Sequence, residues 1–303
     1  MKKAFGFLAL LVLCLALGTA QGEGVTVTDM MGREIRLDEP ATRIVALTAS
    51  DCEILCALGC GDKLVGRGEY CDYPESVLSV PSVQSGYETN LEQIVALRPQ
   101  VVLMSTMAQS VEQVRALTDA GIAVVVSDAK DIEGVYTSIR LIGALMGKDN
   151  EAETLIAQMQ DTFAGIDAQS ETTGKTVYFE VSPLQWGLWT AGRGTFMDEL
   201  AAMCGLTNIF GDLEGWAEIS EEQVLARQPD YIVTITMYYG EGPTPVEEIL
   251  SRPGWSIIPA VANGAVLNAD SNEISRPGPR LMDAAQTLFN FVREHEEAEV
   301  PAA

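Results

Sequence analysis

Two glutamates stand at the same point of a repeated pattern. The stretch NLEQIVALRPQVVLMST, Asn90 to Thr106, returns as SEEQVLARQPDYIVTIT, Ser220 to Thr236. Glu92 falls on Glu222, Gln93 on Gln223, Ala96 on Ala226 and Pro99 on Pro229, each pair 130 positions apart. A carboxylate in the first turn of a helix complements the macrodipole by about 0.3 to 1 kcal/mol, and one copy alone would call for no more. Recurrence in both halves adds a second reading: two equivalent acids presented by two equivalent units.

Other side chains able to do chemistry fall into three groups. Cys52, Cys56 and Cys60 recur at spacing four, which could serve a metal site or a redox switch. Zinc sites more often draw ligands from turns at C-x-x-C spacing, so these read as small apolar thiols on an inward helix face. With Cys71 and Cys204 they make five beyond the leader, an odd count that forbids complete internal pairing. Arg67, Arg193, Arg276 and Arg280 all lie in Gly- or Pro-rich loops, where guanidinium forks could meet carboxylate, catecholate or hydroxamate oxygens; Arg280 could instead cap the turn before the last helix. Tyr70, Tyr73 and Trp216 lie in loops as well, with Tyr87, Trp186, Trp189, Tyr238 and Tyr239 as weaker candidates.

The chain has one histidine, His295, near its charged end. That scarcity argues against a bare zinc or manganese site and against a Ser-His-Asp hydrolase, and leaves His295 as a solvated tail residue. Neither G-x-S-x-G nor G-x-x-x-x-G-K-[ST] is present. Acidic residues number 43 against 19 basic, so no extended nucleic-acid surface is expected.

The elements that position these residues follow from the pattern. Lys2 and Lys3, the apolar run Phe5 to Leu17 and the small Gly18 and Ala20 make a secretory leader, with cleavage expected after Ala20. Cys14 could carry a lipid, but bulky Leu13 and the apolar run beyond it fit a lipobox poorly. VTVTDMMGREIRL alternates about Gly32 as a hairpin. RIVAL, KLVG, VVLMS and IAVVVSD read as buried parallel strands, with a helix capped by Ser50 and another over Ser110 to Ala120. The region 131–169 loses strand signal and becomes long helix with a break at Gly147 to Asn150. TVYFEVS, YIVTIT and AVLN supply the second sheet, and a closing helix runs from Leu281 to about Glu296. In each repeat copy, Asn or Ser caps a short helix, Gln follows three residues later as in a capping box, and Pro ends it before a strand.

RIVAL with SDCEILCALG, KLVG with the YCDYP loop, NLEQIVALRPQVVL, the long helical region, WAEISEEQVLARQPDYIV and RPGPRL together resemble class III substrate-binding proteins of ABC importers, which deliver cobalamin, ferric siderophores or heme. The resemblance spans nearly the whole mature chain. It implies an α/β protein of two lobes, each a mainly parallel sheet flanked by helices, bridged by one long interlobe helix. The leader would be 1–20, the N-terminal lobe 21–130, the interlobe region 131–169 and the C-terminal lobe 170–303.

It also implies an exported, monomeric, non-enzymatic receptor that hands a small metal chelate to a permease dimer and carries no intrinsic cofactor. Glu92 and Glu222 match the family's permease-docking acids. Trp216, Tyr70 and Tyr73 match its ligand-stacking aromatics, and Arg67, Arg193, Tyr238, Tyr239 and Arg276 complete the candidate cleft set. An anionic siderophore needs several cations and cobalamin few, so the aromatic loops and acidic composition favour cobalamin with its cobalt over an iron chelate. Heme would need an axial ligand such as Tyr238 or Met237. An exported enzyme on the same two-lobed fold would need an acid, base or metal cluster that the sequence does not display.

Overall fold

A computed structural model describes residues 24–299, apart from 87, 107–109 and 173. The leader, Cys14 and Tyr87 lie outside the described residues. The chain opens with β1 (Val25–Thr28) and β2 (Glu34–Leu37), an antiparallel hairpin that turns through Gly32 at φ 76°. β3 (Ile44–Ala46), β4 (Leu64–Gly68), β5 (Ser82–Val83), β6 (Val101–Met104) and β7 (Ala123–Val126) follow, as a parallel sheet of order β5-β4-β3-β6-β7. All residues of β3 and β6 are buried, as their unbroken apolar runs require of strands covered on both faces.

The second half supplies β8 (Thr176–Glu180), β9 (Leu188–Ala191), β10 (Thr207–Asn208), β11 (Trp216–Ile219), β12 (Tyr231–Thr234) and β13 (Val266–Asn268). Four of these form a second parallel sheet, β10-β8-β12-β13, while β9 and β11 pair as an antiparallel ribbon at its side.

The two repeat copies fold alike. Each is a short helix, Leu91–Ala96 or Glu221–Arg227, leading into a fully buried strand, β6 or β12. Each helix is followed by a non-glycine residue in the left-handed region, Arg98 at φ 49° and Gln228 at φ 45°. Both precede the repeat's proline, whose ring excludes the right-handed helical conformation from the residue before it. The left-handed bend turns the chain out of the helix and into the sheet. The caps differ in detail. In the second copy Gln223 closes the capping box by accepting the Ser220 N–H at 2.9 Å. In the first, Asn90 accepts the Gln93 N–H at 3.0 Å while Gln93 itself accepts from Gln84 at 3.2 Å.

The interlobe region, expected as long helix with a break at Gly147 to Asn150, is a packed pair, Ile132–Met146 and Asp149–Asp167. Gly147 breaks it at φ 63°, a left-handed C-cap that only glycine takes without strain. The first helix packs on the helix Ala49–Ala57 and on β1, the second on the helices Phe196–Met203 and Leu281–Glu299, and the two pack on each other. One continuous apolar core, from Ile44 and Leu55 through Ile139, Leu145 and Met159 to Phe179 and Leu288, therefore runs from one lobe into the other. Smaller clusters cover the outer face of each sheet.

Three further expectations are corrected. Thr48, not Ser50, caps the first helix, which spans Ala49–Ala57 and leaves Cys60 in the turn beyond; the three cysteines do not share one helix face. Cys52 instead meets Cys56 from its own helix and Cys71 from the following loop. His295 is half-buried, its ring 4.4 Å from that of Phe291 and 6.1 Å from that of Tyr231. Among the described residues no helix is long and apolar enough to cross a membrane.

Candidate ligand cleft

Parallel sheets gather loops at the carboxyl ends of their strands, and here the two sheets turn those ends towards each other. Between them lies a cavity of about 390 Å³. Thr48 to Ser50 beyond β3, Ser105 beyond β6 and Ser127 to Ala129 beyond β7 line one wall; Val181 beyond β8, Ile235 beyond β12, Phe196, Met197 and Trp216 line the other, with Ser275 to Pro277 closing an edge. Its surface is mostly apolar, interrupted by hydroxyls.

Trp216 forms the aromatic wall. Its ring meets Phe196 edge to face at 5.6 Å and 63°, which fixes the indole while 41% of the residue stays exposed. A T-shaped contact occupies at most one face of the indole and leaves the other for stacking.

Arg276 lines the cavity, but its charge is already matched. Its Nη1 contacts Glu53 at 3.0 Å and Asp72 at 2.7 Å, and its Nη2 donates to the Tyr70 carbonyl at 3.1 Å. Arg280 grips the same Glu53 through two hydrogen bonds of 3.0 and 2.7 Å, and its guanidinium lies 4.2 Å over the Tyr73 ring. The Glu53 side chain is 2% exposed. Burial pushes the Asp72 carboxyl up, but the Arg276 hydrogen bond and charge outweigh it and hold the group below its ordinary range. Arg276, Arg280, Glu53, Asp72 and Tyr73 thus form a latch that ties the edge of the second half to the helix and loop of the first.

The remaining candidates lie elsewhere. Arg67 stands on β4 rather than in a loop, and its Nε and Nη1 donate to the carbonyls of Val77, Gly68 and Cys71, so it organises the segment that follows the strand. Beside it Gly68 runs so close to the Leu47 carbonyl that a Cβ there would collide. Tyr70 is 77% exposed and outside the cavity wall. Arg193 is exposed and 3.8 Å from Glu214. Tyr238 and Tyr239 line a separate hollow with Leu184, Gln185 and Met237, on the chain directly after Ile235. Trp186 and Trp189 are exposed beyond the cavity. Of the sequence candidates, the cavity brings together Trp216 and Arg276.

What sequence reasoning missed is the latch acid and the cleft floor. Glu53 sits in the apolar run DCEILCALG, and an acid on a buried helix face implies a cation partner; that was its signal. Asp51, two residues earlier, is fully buried behind the Thr48 to Ser50 wall. Its Oδ2 accepts from the Thr48 hydroxyl at 2.5 Å, and its Oδ1 has no hydrogen-bond partner among the described residues. Burial raises its pKa to about 7, with the Thr48 and Ser127 hydroxyls pulling it back and Asp128 pushing it further.

Glu92 and Glu222 are exposed on the first turns of their short helices, one per half, and neither lines the ligand cavity. The Ser220 hydroxyl lowers the Glu222 carboxyl. No group of three or more His, Cys, Asp or Glu among the described residues could hold a metal ion.

Comparison with known proteins adds four findings. Residues 44–273 match the model of a family described as periplasmic binding protein. An uncharacterized ABC transporter substrate-binding lipoprotein, YvrC of Bacillus subtilis, is 34% identical over 88% of this chain and 85% of its own length. A vitamin B12-binding protein of Salmonella choleraesuis is 30% identical over 84% of this chain and 91% of its own. Among solved structures, the periplasmic vitamin B12 binding protein BtuF of Vibrio cholerae superposes with a TM-score of 0.68 at 25% identity, over 85% of this chain and 98% of that one.

Proposed function

Since the chain belongs to the periplasmic binding protein family, we propose that it is an extracytoplasmic receptor, not an enzyme, that captures a corrinoid between its lobes and hands it to an ABC importer permease. Receptors of this kind deliver ligand to a permease; the metal, cobalt, arrives inside the chelate. The carrying observation is the charge state of the cleft. Arg276, the one cationic side chain among the described residues lining it, is neutralised by Glu53 and Asp72.

A ferric catecholate carries several negative charges and would enter a wall without a free cation, at a large desolvation cost. A corrin ring instead offers a broad apolar face to Trp216 and a rim of neutral amides to the hydroxyls of Thr48, Ser50, Ser105, Ser127 and Ser275. The same wall lacks a tyrosine or histidine for the axial position of heme, Met197 being its one sulfur ligand among the described residues. The relatives that bind vitamin B12 support this choice.

In this reading the receptor works as a monomer, and Glu92 and Glu222 each meet a cationic pocket on one permease subunit. Lipid attachment at Cys14 would tether it, as the lipoprotein relative suggests.

The test is a calorimetric titration of the mature protein with cyanocobalamin, ferrichrome, a ferric tricatecholate and hemin in parallel. Cyanocobalamin binds tightly and the others do not. Tight binding of a ferric siderophore or hemin with none of cyanocobalamin would overturn the assignment.

A further inference from the structure

The two docking acids are not set in equivalent surroundings. Beside Glu92 an apolar groove of about 390 Å³ runs between the helices Leu91–Ala96 and Val111–Asp119, lined by Leu91, Val95, Ala96, Ala116 and Leu117, with Glu92 on its rim. Val95 is 43% exposed. Glu92 has neither an ion-pair nor a hydrogen-bond partner among the described residues.

At the repeat-equivalent positions the second half differs. Leu91 becomes Glu221, whose carboxylate accepts the Trp255 indole N–H at 2.9 Å. Val95 becomes Leu225, which packs half-buried on the outer core of its sheet. The residues that open a groove in one copy are thus tied down in the other.

From this asymmetry we propose that the groove beside Glu92 receives an apolar side chain from the extracytoplasmic face of the permease, next to the cation that pairs with Glu92. An unpaired carboxylate on the rim selects a basic partner, and a groove of aliphatic side chains beneath it selects an apolar neighbour on the same element. The first half then docks by charge and burial together, the second by charge alone. This rests on the receptor reading above and adds to it a distinct foothold on one lobe.

The experiment measures affinity of ligand-loaded receptor for its own importer permease in lipid nanodiscs, with Val95→Glu, Val95→Lys and Glu92→Ala compared. Each variant is first checked for an unchanged melting temperature and cyanocobalamin affinity; Val95 is surface-accessible and remote from the cleft. A buried apolar contact makes both Val95→Glu and Val95→Lys weaken docking, by about tenfold or more. If charge alone acts at this site, Val95→Lys weakens docking while Val95→Glu leaves it unchanged or tightens it, and the proposal falls. If neither Val95 variant has an effect but Glu92→Ala does, the groove is empty in the complex and the docking acid stands. Should Glu92→Ala and Glu92→Ala/Glu222→Ala also leave docking intact, the receptor reading's docking face is wrong as well.

Discussion

Replacing Glu53 by Gln removes the one negative charge gripped by both latch arginines. In the wild-type protein its carboxylate accepts three hydrogen bonds, one from Arg276 at 3.0 Å and two from Arg280 at 3.0 and 2.7 Å, with its side chain 2% exposed. Removing one partner from a buried ion pair costs about 3 to 5 kcal/mol, chiefly because the remaining charge is left desolvated. Two features place this case at the low end. Asp72 still neutralises Arg276, and the arginine side chains keep 13% and 11% of their surface in water. The expected loss is about 3 kcal/mol, or roughly 5 °C of melting temperature for a chain of this size. Calorimetric melting of wild type and Glu53→Gln at pH 7 measures it, and Arg280→Gln alone and with Glu53→Gln completes a cycle. The coupling in that cycle should exceed about 1 kcal/mol. A shift below about 2 °C, with additive single and double variants, would show that the latch is a solvated surface contact and that the lobes are held by the shared core alone.

Asp51 makes stability depend on pH in the opposite sense to an ordinary paired carboxylate. Its folded pKa of about 7 lies above the ordinary 3.8, so folding favours the protonated form and stability falls as pH rises from about 4 through 7. The drop is of the order of 4 kcal/mol; Asp51→Asn should flatten that slope in urea titrations at pH 4 to 8, and an unchanged slope would remove Asp51 as its source. Trp216→Ala should weaken cyanocobalamin binding by about tenfold or more with little change in melting temperature, because the indole is 41% exposed and stacks at the cleft. Equal affinity by isothermal calorimetry would move the ligand off that wall.

Much of the architecture was legible in periodicity. The buried strands, the hairpin about Gly32, the break at Gly147 and the paired helix-turn-strand units rest on local backbone chemistry, which a sequence displays directly. The site was less legible, because its charges act across long separations. Arg276 and Arg280 stand in a Pro-rich turn that suits ligand contact, and nothing within ten residues of them announces that Glu53, more than two hundred positions earlier, satisfies both. Arg67 was misleading for the same reason in miniature: its fork is spent on carbonyls of the segment that follows it. Trp216 is legible as a cavity-wall residue because it follows Gly215 in a stretch with few apolar neighbours, although it stands on β11 rather than in a loop. The placement of Thr48 over Ser50 as the first cap turned on two residues of register, which capping preference alone does not resolve.

The single apolar interior that passes from one lobe to the other has a kinetic consequence. Swinging the halves apart would tear open the cluster to which Leu55, Ile142, Met159 and Leu288 all belong, so ligand exchange by wide hinge opening faces the same kind of barrier as partial unfolding. A bound molecule must leave through the mouth of the cleft, and its dwell time is set by that exit. In the proposed receptor cycle, rapid unloading draws on work applied from outside at Glu92 and Glu222, so that the receptor is a passive vessel and its membrane partner prises it open.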